Sequence, residues 1–337
     1  MRDASRGHRY YLLASVLCLV AFGLSALPGL VEAKQTLRIS TPAVPEDWHT
    51  KMLYVFKDEI EKLAPGQFDV QIHHSGTLFK QGTEPAAMAR GNLEAALISM
   101  QDISKLIPEY SLFTAGYLIR DPDHQRKVFG GPIGDEIYRK VSEAMDIQVL
   151  TVAYLGTRQV NLRDLRNVRT PADLAGVKLR MPGSKEWLFL GQALGANPTP
   201  LAFNEVYLAL KTGTIDGQDN PLPTVRAAKF YEVTKQLVLT SHMVDGVFLA
   251  LSNKAWKAMP PDLQKKVKEA ALAGARFNNE NRIKDEQGLI DFFKKEGLTV
   301  TVPDVEAFRR HVQKAYLESE FSKTWPKGML ERVNETK

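Results

Sequence analysis

The alternation of strand and helix patterns over residues 178–221 most constrains the fold of this chain. A short apolar run, residues 177–181, stops at a Pro-Gly pair, and a helical pattern follows over residues 184–194. Two more short runs, residues 196–201 and 215–218, are separated by a second helical pattern. The order strand, helix, strand, helix, strand is typical of an α/β domain, in which ligands bind beyond the carboxyl ends of the strands.

Polar and aromatic residues lie near those strand ends, namely Arg180, Phe203 and Asn220. Arg158 follows another predicted strand, residues 147–155. A half-buried arginine needs an anion, and its planar fork of donors matches a carboxylate. The pattern alone leaves open whether this anion is a ligand or a neighbouring Asp or Glu. It also leaves open whether Phe203 is a core aromatic residue and whether Asn220 caps a turn.

Strand and helix patterns alternate in the same way before residue 100, which predicts another α/β unit there. A chain of 337 residues is long enough for two domains, each with its own core. A continuous helical pattern opens at Pro260 and ends near Glu296. At 1.5 Å per residue, such a helix spans about 50 Å, more than the diameter of a small domain. We therefore expect it to touch both domains.

Residues 1–33 have the pattern of a cleavable secretory signal peptide. Three arginines precede a stretch without charge, residues 10–31, and small residues stand at the cleavage positions before Lys34. The alternative is an uncleaved membrane anchor, because the uncharged stretch is long. The helix breakers Pro28 and Gly29 favour cleavage, since they belong near a processed end rather than inside a membrane span.

Composition and motifs argue against several classes of function. The formal charge of +5 is mild, and basic residues stand beside acidic ones, so nucleic-acid binding is not expected. Cys18 lies in the predicted signal peptide, which leaves the mature chain without a thiol or a disulfide. The adjacent His73 and His74 would point to opposite faces of a strand, which does not suit a metal site. The glycine-rich residues 130–134 match no phosphate-binding loop, and no hydrolase motif is present, so we expect no cofactor.

Several ordered motifs resemble those of the solute-binding proteins of TRAP (tripartite ATP-independent periplasmic) transporters, the DctP family. They include GTRQ, GVKLRMP, PTPLAFNEVYLAL and IDGQDNP, at residues 156–159, 176–182, 198–210 and 215–221, and shorter pieces at 229–233, 251–253 and 259–264. The resemblance covers essentially all of the chain from Lys34 to the C-terminus and is weakest before Gly91.

The resemblance implies a Venus-flytrap fold, in which two α/β domains are joined by crossing strands and a long domain-spanning helix. The first domain is expected to hold residues 34–155 and about 246–285, and the second to hold residues 156–245 and about 286–337. Such a protein is a periplasmic monomer and not an enzyme. It captures a small organic acid, such as a C4-dicarboxylate or a sugar acid, and delivers it to TRAP membrane permease subunits. A protein that presents its ligand to a sensor, or a periplasmic α/β enzyme, remains an alternative.

The resemblance also implies roles for residues of the second domain. The arginine matching Arg180 forms the main salt bridge to the ligand carboxylate, and the one matching Arg158 assists it. The residue matching Asn220 donates a hydrogen bond to the ligand, the aromatic residue matching Phe203 packs against it, and the position matching Ser184 abuts the carboxylate.

The first domain is expected to set the identity of the ligand. Trp48 and the two acidic residues before it lie in a loop that lines a cleft or is exposed, and a second loop, residues 81–84, ends at Glu84. Acidic groups there would suit a ligand with an amine or with many hydroxyls. Members of the family that bind sialic acid have a glutamate where this chain has Ser99, which argues against that ligand.

Overall fold

A computed structural model describes residues 34–337, so the predicted signal peptide lies outside the described residues. The strands of this part of the chain form one mixed sheet: β1 (Gln35–Ser40), β2 (Phe68–His73), β3 (Ala95–Ser99), β4 (Ile147–Leu162), β5 (Lys178–Met181), β6 (Asn197–Pro200), β7 (Gly217–Pro221), β8 (Gln236–Ser252) and β9 (Thr299–Thr301). Their order across the sheet is β2-β1-β3-β8-β4-β7-β5-β6, and β9 pairs with β8.

The α-helices of the described chain alternate with these strands: α1 (Trp48–Leu63), α2 (Glu84–Ala89), α3 (Met100–Ser104), α4 (Pro122–Phe129), α5 (Pro132–Met145), α6 (Lys185–Ala193), α7 (Val206–Thr212), α8 (Leu222–Ala227), α9 (Asn253–Lys257), α10 (Pro261–Lys295), α11 (Val305–Glu318) and α12 (Met329–Glu335). The α/β class predicted from the sequence is confirmed. Between residues 34 and 337, no helix combines the length and the hydropathy that a membrane-spanning segment needs.

Two long antiparallel strands, β4 and β8, connect the two halves of the sheet. They have 16 and 17 residues and pair along most of their length. β3 pairs with the C-terminal half of β8, whereas β7 pairs with the C-terminal half of β4 and β9 with the N-terminal end of β8. Strands from the first part of the chain therefore lie on one side of this central pair, and β5, β6 and β7 lie on the other.

Arg158 lies inside a strand rather than after one, which corrects the prediction of a strand that ends at residue 155. β4 continues to Leu162 because a bulge lets it pass Gly156 without ending. Gly156 has a φ of +124°, which L side chains rarely adopt, and a Cβ there would lie 2.5 Å from Pro221. The sequence pattern ended the predicted strand before this glycine, but Gly156 marks a bend within a continuous strand.

The long helix α10 has 35 residues, as its sequence pattern predicted, and it contributes to two separate hydrophobic cores. Near its N-terminus, Val267 and Ala271 pack in a core with residues of α1 and β1. Near its C-terminus, Leu289 and Phe293 pack in another core, which contains Phe203. Because one rigid helix belongs to both cores, it braces the two halves of the sheet.

The last helix, α12, packs on the core that the first part of the chain builds. Met329 and Val333 are buried there together with Ile133 and Phe248. The carbonyl oxygen of Val333 also lies 2.9 Å from Nε2 of His124. The chain therefore returns at its C-terminus to the half of the molecule from which it starts.

Candidate ligand-binding site

A cavity lies where β4 and β8 pass between the two halves of the sheet. Its lining residues come from both halves and from the two central strands. The structure brings together seven of the residues predicted for the site: Arg158, Arg180, Ser184, Phe203, Asn220, Glu84 and Ser99. The eighth, Trp48, is not among the residues that line this cavity.

Arg180 stands at the end of β5 and is 1% exposed. Its Nε donates to the carbonyl oxygen of Leu201 at 2.8 Å, and Nη2 donates to Oε1 of Gln81 at 2.8 Å. It forms no salt bridge with a carboxylate of residues 34–337. Burial lowers the pKa of this guanidinium to about 9, against the opposing charge of Asp219. A buried cation without a carboxylate partner favours the entry of an anion.

Arg158 differs from Arg180 because two carboxylates of the chain already neutralise it. Its Nε donates to Asp219 Oδ2 at 2.7 Å, and Nη1 donates to Asp245 Oδ2 at 3.0 Å. Burial opposes its charge, but these two carboxylates raise the pKa of Arg158 above its usual value. The guanidinium carbon also lies 4.4 Å from the ring centre of Trp187, a cation–π geometry. The internal salt bridge, one of the two alternatives left open by the sequence, is present at this residue.

The register of the sheet explains how Arg158 finds both partners. On β7 it stands opposite Pro221, and on β8 it stands opposite Met243. Residues two positions further along a paired strand lie on the same face as diagonal neighbours. Asp219 and Asp245 occupy these two diagonal positions, so the carboxylates reach Arg158 from opposite sides.

Asp219 is further held by a buried histidine. Nε2 of His242 lies 3.1 Å from Asp219 Oδ2, and Nδ1 of His242 lies 2.8 Å from the hydroxyl of Thr240. Although burial alone would raise the pKa of the Asp219 carboxyl, the charge of Arg158 lowers it well below its usual range. Asp219 is therefore a permanently ionised partner that fixes Arg158 at the wall of the cavity.

The other predicted residues of the second half line the same cavity as Arg180. Phe203 is buried, and its ring centre lies 5.9 Å from the guanidinium carbon of Arg180. Ser184 caps helix α6, where its hydroxyl accepts a hydrogen bond from the backbone N–H of Trp187. Asn220 donates from Nδ2 to Gln218 Oε1 at 2.6 Å and lines the cavity with its remaining surface.

Gln81 reaches across the cavity from the loop that precedes α2. Its Oε1 accepts hydrogen bonds from Nη2 of Arg180 at 2.8 Å and from the backbone N–H of Phe203 at 3.0 Å. Next to it, Nζ of Lys80 lies 3.4 Å from Oε1 of Glu205. The neutral amide oxygen of Gln81 thus accepts a hydrogen bond from Arg180 without neutralising the charge of the guanidinium.

Glu84 and Ser99 form part of the wall on the side of the first half. Glu84 is 2% exposed, and its Oε2 accepts from the backbone N–H of Gly82 at 2.7 Å. Its Oε1 has no hydrogen-bond partner among the described residues. The hydroxyl of Ser99 donates to Asp102 Oδ2 at 2.8 Å and caps α3. Asp102 in turn lies 3.4 Å from Nζ of Lys105.

Trp48 faces the long helix instead of the ligand cavity. Its indole Nε1 donates to Asp285 Oδ2 at 2.7 Å, and its ring packs edge-on against Phe277 at 5.9 Å between centres. The preceding residue, Asp47, does line the cavity and is bonded to the buried Arg282 of α10. The aromatic residue and the acidic residue of this loop therefore have separate roles, which their adjacency in the sequence did not distinguish.

The network around Arg282 joins three parts of the structure. Arg282 is fully buried and bonds Asp47 with Nη1 and the hydroxyl of Thr224, on α8, with Nη2 at 2.6 Å. His49 lies beside it, and burial lowers the pKa of this imidazole to about 3, so it is neutral at physiological pH. The helical pattern of α10 identified Arg282 only as one charge among many, because its partners are distant in sequence.

Sequence reasoning missed Asp219, Asp245 and Gln81 as parts of this site. Asp245 carries no local motif, and the motif that contains Asp219 indicated no contact with Arg158. Only the pairing of β4 with both neighbouring strands brings the two aspartates to Arg158. For Gln81, the sequence indicated a loop that influences ligand identity, but not its contact with Arg180. Within residues 34–337, no group of three or more His, Cys, Asp or Glu side chains is placed to hold a metal ion.

The two-domain α/β fold of this chain is that of the TRAP periplasmic solute-binding proteins. A solved structure of such a protein from Roseobacter denitrificans, with bound 3-deoxy-D-manno-oct-2-ulosonic acid (KDO), superposes with a TM-score of 0.87 and 45% identity over 90% of this chain and 100% of that chain. Another, from Sulfurospirillum deleyianum with bound succinate, has a TM-score of 0.83 and 26% identity over 90% of this chain and 100% of that chain.

A family model described as bacterial extracellular solute-binding protein, family 7 (DctP), matches residues 39–323. The chain belongs to this family. Among its relatives, the sialic acid-binding periplasmic protein SiaP of Vibrio cholerae is 30% identical over 86% of this chain and 89% of its own length. The resemblance inferred from the sequence motifs is thereby confirmed.

Proposed function

We propose that this chain is the periplasmic solute-binding subunit of a TRAP transporter and that it captures a sugar acid by its carboxylate. The observation that carries the proposal is Arg180, a fully buried guanidinium that lines the cavity without a carboxylate partner. An incoming carboxylate would supply the missing charge and accept two parallel hydrogen bonds. The chain then acts as a carrier rather than an enzyme and delivers its ligand to the membrane permease subunits.

The polar lining of the cavity favours a sugar acid over a C4-dicarboxylate. Besides the arginines, polar side chains of the first half line it, including Glu84, Ser99 and Asp102. Groups of this kind suit several ligand hydroxyls. The relative with bound KDO, at 45% identity, makes a 2-keto sugar acid the first ligand to test.

The roles of the remaining residues follow from their positions. Arg158, held by Asp219 and Asp245, lines the cavity, and the N–H of Nη1 that is not bonded to Asp245 would assist the same carboxylate. Ser184 and Asn220 contribute hydrogen-bonding groups, and Phe203 provides an apolar face. Ser99 has its hydroxyl committed to Asp102, which agrees with the expectation that this protein does not bind sialic acid.

Isothermal titration with KDO, D-galactonate, N-acetylneuraminate and succinate tests the proposal. We expect KDO to bind most tightly, and Arg180→Ala to reduce its binding free energy by about 2–5 kcal/mol, because the substitution removes one partner of a buried charge pair. Arg180→Lys should also weaken binding, since a lysine cannot form the two parallel hydrogen bonds.

Arg38→Lys is the matched control for Arg180→Lys. Arg38 forms a bidentate pair with Glu94 and does not line the cavity. Its replacement by lysine therefore also removes two parallel hydrogen bonds, but at a position away from the ligand. The affinity of Arg38→Lys for KDO should equal that of the unaltered protein. If Arg180→Ala costs less than about 1 kcal/mol of binding free energy, Arg180 is not the anchor of the ligand.

A further inference from the structure

A second polar anchor stands in the wall of the cavity that the first half of the chain provides. We propose that Glu84 recognises a hydroxyl of the bound acid and so selects polyhydroxylated monocarboxylates over dicarboxylates. This inference rests on the proposed function, because it concerns the same cavity and the same ligand.

The hydrogen bonding of Glu84 leaves one oxygen for a ligand. Oε2 accepts from the N–H of Gly82, which fixes the carboxyl group against the wall. Oε1 is buried, has no partner among the described residues and belongs to a side chain that lines the cavity. Leaving such an oxygen unpaired costs free energy, whereas a ligand hydroxyl placed against it satisfies both groups.

The charges around Glu84 disfavour a second ligand carboxylate. Nζ of Lys105 lies beside Gly82, whose N–H holds Glu84, and forms a salt bridge of 3.4 Å with Asp102. A second carboxylate would therefore approach two acidic side chains, and the lysine beside them already shares its charge with Asp102. A hydroxyl carries no charge and can donate to an ionised carboxylate or accept from a protonated one.

The protonation of Glu84 is set by its burial. Burial raises the pKa of this carboxyl to about 7, and the negative charge of Asp102 acts in the same direction. An anionic ligand that excludes the remaining water raises the pKa further, so the complex takes up a proton when it forms. Affinity should then decrease as the pH rises through 7.

Other charged groups lie around α2, and their effect on the pH dependence of binding has to be distinguished from that of Glu84. Those that line the cavity are Asp47, Asp102, Lys105, Arg158, Arg180 and Asp245, and Lys254 belongs to α9, which packs on α2. His49 also lines the cavity, but its pKa of about 3 keeps it from titrating in this range. The variant Glu84→Gln removes the titration of Glu84 and leaves these groups in place.

The test compares KDO with 2-oxooctanoate, a 2-keto acid of the same chain length that lacks the hydroxyls. We expect Glu84→Leu to weaken binding of KDO by about tenfold or more, as for a lost hydrogen bond to a buried carboxyl group, and not to weaken binding of 2-oxooctanoate, whose apolar tail gains nothing from a carboxyl group. Glu84→Gln should retain most of the affinity for KDO, because an amide can still donate to or accept from a hydroxyl.

Glu186→Leu is the matched control. Glu186 is also buried, lies in the first turn of a helix and has one carboxyl oxygen without a partner among the described residues, but it does not line the cavity. An equal loss of KDO affinity in both leucine variants would show a general effect of removing a buried carboxyl group and would overturn the role of Glu84.

A second measurement does not depend on whether a leucine variant folds. For the unaltered protein, titrations in buffers of different ionisation enthalpy should show proton uptake, and binding of KDO should be about fivefold weaker at pH 8 than at pH 6. The same titrations on Glu84→Gln should show no dependence on pH. If Arg180→Ala weakens binding of KDO, but substitution of Glu84 and a change of pH do not, this inference is wrong and the proposed function stands. Failure of KDO and of every other acid to bind overturns the proposed function as well.

Discussion

At the residue scale, the two arginines of the cavity differ in what neutralises them. Arg158 has Asp219 and Asp245 within hydrogen-bond distance, whereas Arg180 bonds only to a carbonyl oxygen and a side-chain amide oxygen among the described residues. The pKa of Arg180 is lowered by burial, and that of Arg158 is raised by its carboxylates. One arginine is thus a fixed part of the wall, and the other is a receptor for an anion.

Replacing Asp219 should destabilise the protein strongly. In Asp219→Asn, Arg158 and His242 both lose a buried carboxylate partner, and removing one member of such a pair costs about 3–5 kcal/mol. Urea unfolding monitored by circular dichroism measures this loss. Asp291→Asn on α10, whose side chain is 81% exposed, should change the free energy of unfolding by less than about 0.5 kcal/mol. Equal stabilities of the two variants would contradict the structural role of Asp219.

The sequence predicts the residue types of this site better than it predicts the contacts between them. Arg180, Phe203 and Asn220 were recognisable because each lies near the end of a short apolar run, and the family motifs assigned them roles. The partners of Arg158 were not recognisable, because they lie 61 and 87 residues away and meet it only through strand register. Trp48 shows the converse, since a residue type typical of binding loops packs on α10 instead.

At the element scale, two glycines of α10 differ in how closely a neighbouring element approaches them. Gly274 lies so close to α1 that a Cβ would stand 2.8 Å from the carbonyl oxygen of Met52. Gly288, further along the same helix, has no neighbouring atom within 4 Å of that position. The helical pattern predicted the whole length of α10, but it did not distinguish these two glycines, because the difference comes from the neighbouring helix.

The two glycines predict opposite effects of the same substitution. Gly274→Ala should destabilise the protein by about 1–3 kcal/mol, because the added methyl group forces α1 and α10 apart. Gly288→Ala should stabilise it by about 0.5–1 kcal/mol, because alanine restricts the unfolded chain and fits the helix. The midpoints of urea unfolding measure both effects. A neutral or stabilising Gly274→Ala would show that the contact between the helices is looser than the structure indicates.

At the scale of the whole molecule, we propose that the two halves of the sheet move about β4 and β8. The proposed first domain holds residues 34–155 and about 246–285, and the second holds residues 156–245 and about 286–337, with α12 packing back on the core of the first. Arg180 is 1% exposed, and Gln81 contacts it from the opposite half. A ligand therefore reaches Arg180 only if the halves separate.

This motion predicts a change of overall size on binding. In small-angle X-ray scattering, the ligand-free protein should populate a more open form with a larger radius of gyration than the complex with KDO. Addition of succinate at the same concentration serves as the control if titration shows that it does not bind. Identical scattering curves with and without bound ligand would show that the ligand enters without separation of the two halves.

The central claim is that Arg180 receives the carboxylate of the ligand. A crystal structure of the complex with KDO tests this claim most directly. The account predicts that both carboxylate oxygens lie within hydrogen-bond distance of Arg180, at about 2.7–2.9 Å, with Arg158 still held by Asp219. A complex in which the carboxylate lies elsewhere, while Arg180 keeps only its contacts with Gln81 and Leu201, would contradict it.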